Sequence, residues 1–177
     1  MGEKTIEGKI EIIPNPYEAF TIEDKEIHHS TVMKLYSMQE ELAFINARVM
    51  KAYEDTEKRI DDMKEDSELK ASLSSFAVKL NNFRATLVAT SEAKGIVRDE
   101  QLRERIGGLY LSISSYPGRP TDSQLERVKG LEKEMKDAKK KEKELLTKEL
   151  KSINEKLQKA GMSEIILLTK VEFEEED

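Results

Sequence analysis

Residues 31–56 have the sequence TVMKLYSMQEELAFINARVMKAYEDT, and this stretch decides the fold. Its apolar and small side chains recur at alternating steps of four and three positions. They are Thr31, Leu35, Met38, Leu42, Ile45, Val49, Ala52 and Thr56. A heptad seam sustained over more than three heptads is typical of a long helix that packs sideways against other helices. We therefore predict a helix over residues 22–64, which begins at a capping-box pair, Thr21 and Asp24.

The same spacing predicts three further helices along the chain. Their bounds are 67–94, 99–115 and 121–160. Their seams comprise Leu69, Leu73, Phe76, Leu80, Phe83 and Leu87; Leu102, Ile106, Leu109, Ile113 and Tyr116; and Leu125, Val128, Leu131, Met135, Ala138, Leu145, Leu146, Leu150, Ile153 and Leu157. The predicted N-caps are Asp66 or Ser67, Asp99, and Thr121, because short polar side chains accept hydrogen bonds from the first free amides of a helix. Gly95, Pro117–Pro120 and Gly161 separate or end these helices.

The two ends of the chain carry strand patterns. Residues 5–13 alternate apolar and polar positions and are followed by Pro14 and Pro16, whereas residues 164–173 are rich in Ile, Leu and Val. If every helix reverses direction, the helix lengths bring both ends to within about 11 Å of each other, at 1.5 Å per residue. The strands could then pair.

We therefore predict a mainly α fold in a single domain, residues 1–177. It is an elongated antiparallel up-down-up-down helical bundle with a small two-stranded β element formed by the chain termini. If the third helix instead continued the second across Gly95, the two strands would lie about 55 Å apart.

The seams also predict which side chains are buried in the core. Burial of a large apolar side chain contributes roughly 1.5–3 kcal/mol to folding. The predicted core residues are Leu35, Leu42, Ile45, Val49, Leu73, Phe76, Leu80, Phe83, Ile106, Leu109, Leu150, Ile153 and Leu157.

Composition excludes several classes of protein and site. The chain contains no Cys, which excludes disulfides and cysteine metal sites. No apolar run is long enough to span a bilayer. The first residues lack the apolar region of a signal peptide, and we expect the native chain to have begun earlier. The compartment is not determined by these features.

Charge is unevenly distributed over a net charge of −6. A net negative charge argues against nonspecific binding of nucleic acid. Residues 54–68 are mainly acidic and residues 126–159 carry an excess of bases. We expect these two segments to be neighbours whose charges cancel. The alternative is a basic helix that binds an anionic partner.

No residue is predicted to be catalytic, to bind a cofactor or to ligate a metal. His28 and His29 point about 100° apart on a helix, which disfavours a shared ion, and a di-metal bundle site would need Glu-x-x-His pairs that are absent here. The acidic residues Glu54, Asp55, Glu57, Asp61, Asp62, Glu65 and Asp66 are interpreted as a solvated face. Ser112, Ser114 and Ser115 lack a nucleophile elbow and are interpreted as helix-end residues.

Glycine and methionine positions are interpreted as packing features. Gly107 and Gly108 cost helix propensity, and we expect close packing of the backbone against a neighbouring helix there. The methionines Met33, Met38, Met50, Met63 and Met135 are expected to fill the core rather than to bind a client protein.

The second half of the chain contains motifs that resemble a known family. These are residues 105–113 (RIGGLYLSI), Pro117, residues 119–124 (RPTDSQ), Leu125, Leu131-Glu132, Leu150, Ile153-Asn154, Leu157 and Gly161. They resemble the C-terminal helical region of bacterial sortilin-like proteins with BNR repeats, which are usually labelled glycosyl hydrolases. The resemblance extends over residues 10–161. One departure is that the family's Asp-Pro-Arg is here Asn15-Pro16-Tyr17.

The resemblance implies a role without catalysis. In that family a β-propeller precedes a β region, a Pro-rich turn and then helices, and any hydrolase groups belong to the propeller. The chain would thus be an accessory module that supports, spaces or oligomerises a larger exported protein, whose own N-terminal domains or a second copy would be its partner. A periplasmic or secreted location is implied by the resemblance alone. The alternative hypothesis is a coiled-coil protein-binding or holdase-like chaperone module.

Overall fold

A computed structural model describes residues 7–13, 15, 17, 19–90 and 100–175. The helices are α1 (Ile22–Asp62), α2 (Glu68–Leu87), α3 (Leu102–Ser114), α4 (Asp122–Lys143), α5 (Leu150–Lys159) and α6 (Lys170–Glu175). A π-helical turn, Glu144–Glu149, joins α4 to α5. Residues 122–159 therefore form one continuous helical segment, which we call the C-terminal rod. The prediction of a mainly α fold is confirmed.

The seams are buried as the spacing predicts. The buried residues of α1 are the eight predicted from Thr31 to Thr56. All thirteen predicted core residues are buried, and they belong to one continuous cluster. Leu69 and Leu125 are only half-buried and Tyr116 is exposed, because each lies at an end of its seam, where fewer neighbours cover it.

The C-terminal rod runs parallel to α1. Five contacts join α1 to the rod or to residues that flank it, in increasing order along both segments: Asp24 with Arg119, Lys34 with Glu132, Glu41 with Lys139, Arg48 with Glu142, and Arg59 with the backbone carbonyl of Glu164. The polypeptide must therefore cross back only once between them. Among the described residues, that return path consists of α2 and α3.

Helices α2 and α3 point in the same direction and lie end to end. In α2, Ser72 contacts Lys156 and Lys79 contacts Glu149, so α2 is antiparallel to the rod. The α3 pairs Arg105–Glu134 and Ser112–Gln124 show the same antiparallel order. The backbone amide of Ala89, beyond the end of α2, donates to Glu104 in α3 at 3.3 Å. The predicted up-down-up-down path is therefore wrong, and the architecture is a three-layer bundle.

Seam length explains this topology. The seam of α1 from Thr31 to Thr56 is about 38 Å long, whereas the buried seam of α2 from Leu73 to Leu87 is about 21 Å. Helix α2 alone leaves the N-terminal half of the α1 seam uncovered. Helix α3 covers that half only by continuing in the direction of α2. Burial of apolar area thus outweighs the strand pairing on which the prediction depended.

The predicted β element is absent from the described residues. Residues 7–13 have no regular secondary structure, and residues 5 and 6 lie outside the described part. Of the predicted strand 164–173, residues 164–169 are irregular and Lys170–Glu175 is helical. The parallel rods place residue 20 and residue 163 at opposite ends of α1, about 60 Å apart, so the two segments cannot pair.

Helix boundaries differ from the predictions at three places. Helix α2 ends at Leu87 rather than residue 94, because Val88 adopts an extended conformation. Gln101 is the N-cap of α3, and the predicted Asp99 cap and Gly95 lie outside the described residues. Thr169 and Glu172 form a capping box that starts α6, a signal that the strand prediction overlooked. Gly161 ends the rod with φ of 71°, as predicted.

Candidate functional site

Both α1 and α4 begin at one end of the bundle, which we call the proximal end. Each starts with a complete capping box: Thr21 with Asp24, and Thr121 with Gln124. Hydrogen bonds from Thr21 lower the pKa of Asp24, and the Arg119 guanidinium 3.9 Å away adds to this effect. Two fixed helix starts therefore flank the Pro-rich turn between α3 and α4.

An aromatic contact ties the segment before α1 to that turn. The rings of Phe20 and Tyr116 meet edge-to-face, with centroids 5.7 Å apart. Gly118 is buried beneath them, and a Cβ on it would lie 2.5 Å from Tyr116 Cε1 and 2.7 Å from Phe20 Cε1. Only glycine fits this space without displacing a ring. Nearby, the His28 ring nitrogen Nε2 lies 3.0 Å from the Ile113 carbonyl oxygen at the end of α3.

Replacing Gly118 with Ala is expected to lower the free energy of unfolding by roughly 1 kcal/mol, the low end for an overpacked site, because both rings have solvent on one side. The matched control is Gly130→Ala. Gly130 lies inside α4 with nothing near its Cβ position, so alanine there should stabilise the chain by up to about 1 kcal/mol. Urea denaturation measures both. Equal stabilisation by the two substitutions would contradict the close contact at Gly118.

The segment that leads into the proximal end exposes apolar side chains. Ile10 is 91% and Ile12 is 93% exposed, and Ile13 and Tyr17 are also exposed. Residues 7–13 form no hydrogen bond with another described residue. By contrast, Ile45, Ile106 and Ile113 are buried in the bundle. A segment with exposed isoleucines and no hydrogen bond to another described residue is suited to contact with another polypeptide.

A second candidate is the largest cleft among the described residues, about 670 Å³ beside the π-helical turn. Its apolar lining comes from Phe83, Leu87, Leu102 and Ala138. Four carboxylates line it, and three of them, Glu134, Glu144 and Glu149, are each held by a cation: Arg105, Lys141 and Lys79, respectively; the fourth is Asp137. Carboxylates that are neutralised in this way are poorly placed for acid–base chemistry.

At the π-helical turn, the inward-facing positions of the rod shift by one residue. Before it, inward positions continue through the buried Ala138 and the half-buried Glu142 to the buried Leu145; after it, buried positions continue from Leu146 through Leu150. One extra residue in this turn lets the adjacent Leu145 and Leu146 both enter the core. Both were expected to mark the seam, and both are buried.

Glu142 occupies a seam position, yet it carries a charge. Its side chain is 13% exposed and pairs with Arg48 of α1. Burial raises the pKa of Glu142, and the attraction of Arg48 opposes that rise. The Arg48 guanidinium also lies 5.5 Å from the centre of the Phe44 ring. We call Arg48, Glu142 and Phe44 the polar layer.

The remaining sequence candidates are distributed as follows. His29 is exposed and His28 is half-buried. Ser112, Ser114 and Ser115 lie at the end of α3, as predicted. No group of three or more potential metal ligands occurs within the described ranges.

The acidic stretch does not pair with the basic rod. Among the described residues, its ion pairs are local: Lys51 with Asp55 at 3.3 Å and Lys70 with Asp66 at 3.9 Å. The predicted cancellation between residues 54–68 and 126–159 is therefore wrong, because the parallel rod presents its own acids to α1 as well as its bases.

Glycine and methionine predictions are confirmed only in part. A Cβ on Gly107 would meet Gln39 at an ordinary 3.8 Å, and one on Gly108 would meet nothing, so the expected close packing is absent. Met38 and Met135 are buried and Met50 and Met63 are half-buried, but Met33 is exposed.

Comparison of the chain with protein-family models, curated proteins and solved structures yields no match. No helix in the described part of the chain has the length and apolarity needed to cross a membrane.

Proposed function

We propose that the chain is a non-catalytic helical-bundle module that spaces or supports a larger exported protein, attached through its proximal end. The observation that carries this proposal is the contrast between the fully exposed Ile10 and Ile12 and the buried isoleucines of the bundle. The exposed segment directly precedes the tightly packed junction of Phe20, Tyr116 and Gly118. Exposed apolar side chains beside a packed junction form a surface suited to contact with another domain.

The family resemblance supports the identity of that other domain. The motifs at residues 105–113 and 117–124 lie around the proximal end, where they build the α3–α4 turn and its cap. In sortilin-like proteins with BNR repeats, a β region precedes such helices. We infer that residues 10–13 pair with that region and that a propeller lies beyond it.

The coding sequence upstream of residue 1 tests this proposal. We expect it to encode, in frame, a signal peptide, Asp-box propeller repeats and a β region. A stop codon in frame directly upstream would contradict the module proposal, because the exposed segment would then have no domain of its own chain to join.

A coiled-coil binding or holdase-like module is the second candidate. Met33 and Tyr36 lie one turn apart on α1 and are both nearly half exposed, which favours contact with a client. Sedimentation velocity separates the two proposals. The spacer proposal predicts an elongated monomer of 20.3 kDa. An extended dimer that is abolished by Met33→Glu, but not by the matched Ser37→Glu change on α1, would favour the binding module.

A further inference from the structure

The segment after the C-terminal rod turns back along the bundle. Ser163 and Glu164 contact Arg59 near the end of α1, and ten residues later the ring of Phe173 lies 5.4 Å from that of Phe44. Residues 163–173 therefore run antiparallel to α1. We call this segment the tail.

Two side chains of the bundle hold the tail by its backbone. Asn154 Oδ1 accepts from the Ile165 amide at 2.9 Å, and Asn154 Nδ2 donates to the Ile165 carbonyl at 3.1 Å. A carboxamide that binds both main-chain groups of one residue does what a neighbouring β-strand would do. Arg59 donates to the carbonyls of Ser163 at 3.1 Å and Glu164 at 2.6 Å. These four hydrogen bonds involve only main-chain atoms of the tail, so they do not select for its side chains.

The demand on side chains comes from apolar contacts, of which that of Ile165 is the most buried, and from charge; Leu167 is partly buried against the same core. Ile165 is 2% exposed, whereas Ile166 beside it is 74% exposed. Further along, Glu172 faces Lys51 of α1, which lowers the pKa of Glu172 slightly beyond the effect of its capping bonds to Thr169. The bundle thus selects one aliphatic anchor and favours acidic residues after it.

The tail does not fill its groove. A cleft of about 460 Å³ remains between the tail and α1, and it is lined by Lys51, Asp55 and Arg59 on the bundle side. Arg59 is held in place by its bond to the Asp55 carbonyl at 2.7 Å, so its other donors are oriented independently of the tail. Arg59 is therefore pre-organised to bind a backbone carbonyl.

We propose that this groove is a binding site for an extended partner peptide that carries an aliphatic anchor followed by acidic residues, and that the tail occupies it in cis. The proposal is independent of the spacer function. The tethered tail competes at an effective concentration in the millimolar range, so a free peptide binds well only when the tail is released.

The test uses the full chain with Ile165→Asp, which removes the anchor of its own tail. The probe is a fluorescent peptide with the sequence of residues 162–175, followed by anisotropy. We expect it to bind the variant at least ~100-fold more tightly than it binds the wild-type chain, the gain set by removal of the tethered competitor. Adding Asn154→Ala should abolish binding, and a probe with Asp at the anchor position should not bind. Ser152→Ala, an exposed position of α5, is the matched control and should retain binding.

Three outcomes would overturn the proposal. The first is an Ile165→Asp chain of unchanged helical circular dichroism that does not bind the probe, which would make the tail a permanent clasp. The second is binding that is unaffected by Asn154→Ala. The third is a wild-type dimer that depends on Asn154, which would assign the groove to the tail of a second copy. If Ile165→Asp loses helical signal, Ile165→Ser takes its place with the same expectations.

Discussion

Replacing Leu80 with Asp is expected to unfold the chain at 25 °C. Leu80 is fully buried in the seam of α2. Loss of a buried leucine side chain costs about 2–5 kcal/mol, and an unpaired carboxylate in the same place adds several more. Together these costs approach the total stability of a typical domain, about 5–15 kcal/mol. Far-UV circular dichroism during urea titration measures the loss of free energy of unfolding. If Leu80→Asp is unfolded without urea, Leu80→Ala, which costs about 3–5 kcal/mol, still gives a measurable urea midpoint.

Val78→Asp is the matched control for this prediction. Val78 lies in the same helix two positions away, is 58% exposed and shares the helix-propensity cost of aspartate. Its effect should stay within about 0.5 kcal/mol, as for most surface substitutions. Thermal unfolding of Leu80→Asp at the wild-type temperature would show that the α2 seam does not face the core.

The inward face of each helix is the part of this fold that the sequence predicts, through the heptad seams. Spacing identifies the inward face of each helix because the helical period is local, so the side chains from Thr31 to Thr56 could be assigned to the core without knowledge of their neighbours. The caps at Thr21, Ser67 and Thr121 are equally local, since each involves only the next three residues.

The direction of α3 could not be predicted in this way. It depends on whether the α1 seam is covered along its whole length, which requires comparing the lengths of three separate seams. Pairing of the terminal strands gave a competing reason for the reversed path. In the structure, the side chain of Asn154 satisfies the backbone of Ile165 in place of a second strand. A single side chain thus removes the need for a β partner.

The residues of the candidate sites were missed for a related reason. Arg48 and Glu142 are 94 positions apart, and Arg59 and Glu164 are 105 apart. Each looks like a surface charge in its own helix. Only the parallel alignment of α1 and the rod brings the partners together. The exposed isoleucines of residues 10–13 were recognised as apolar, but their exposure depends on the absence of a strand partner.

The polar layer gives the bundle a fixed register at the place where its seam changes. A charged pair contributes little net stability when buried, since the loss of hydration offsets the attraction between the charges. Its value lies in excluding alternatives: if the rod slid by one turn, Glu142 would be buried without Arg48. The adjacent π-helical turn, which admits both Leu145 and Leu146, makes such sliding a real competitor.

Replacing Arg48 with Met should therefore cost about 3 kcal/mol, because Glu142 then remains in its buried position without a partner. The double replacement of Arg48 with Met and Glu142 with Leu should be neutral or should stabilise the chain by up to about 4 kcal/mol. Urea midpoints of the two single variants and the double variant form the thermodynamic cycle. Lys51→Met, at an exposed position of α1, is the control for loss of a charge. A double variant clearly less stable than the wild-type chain would mean that the pair itself stabilises the bundle.

The loss of stability caused by Arg48→Met should depend on pH, and the direction of that dependence tests whether Glu142 is shielded from solvent. Burial raises the pKa of Glu142 above its usual 4.5, and removal of Arg48 raises it further. The folded state then holds the proton more tightly than the unfolded state does. Stability from this group is fully present below about pH 4 and is lost as the pH rises through the folded-state pKa. The destabilisation caused by Arg48→Met should consequently be smaller near pH 4 than near pH 7. If Arg48→Met destabilised the chain equally at both pH values, Glu142 would be in solvent, and the polar layer would not be shielded as described.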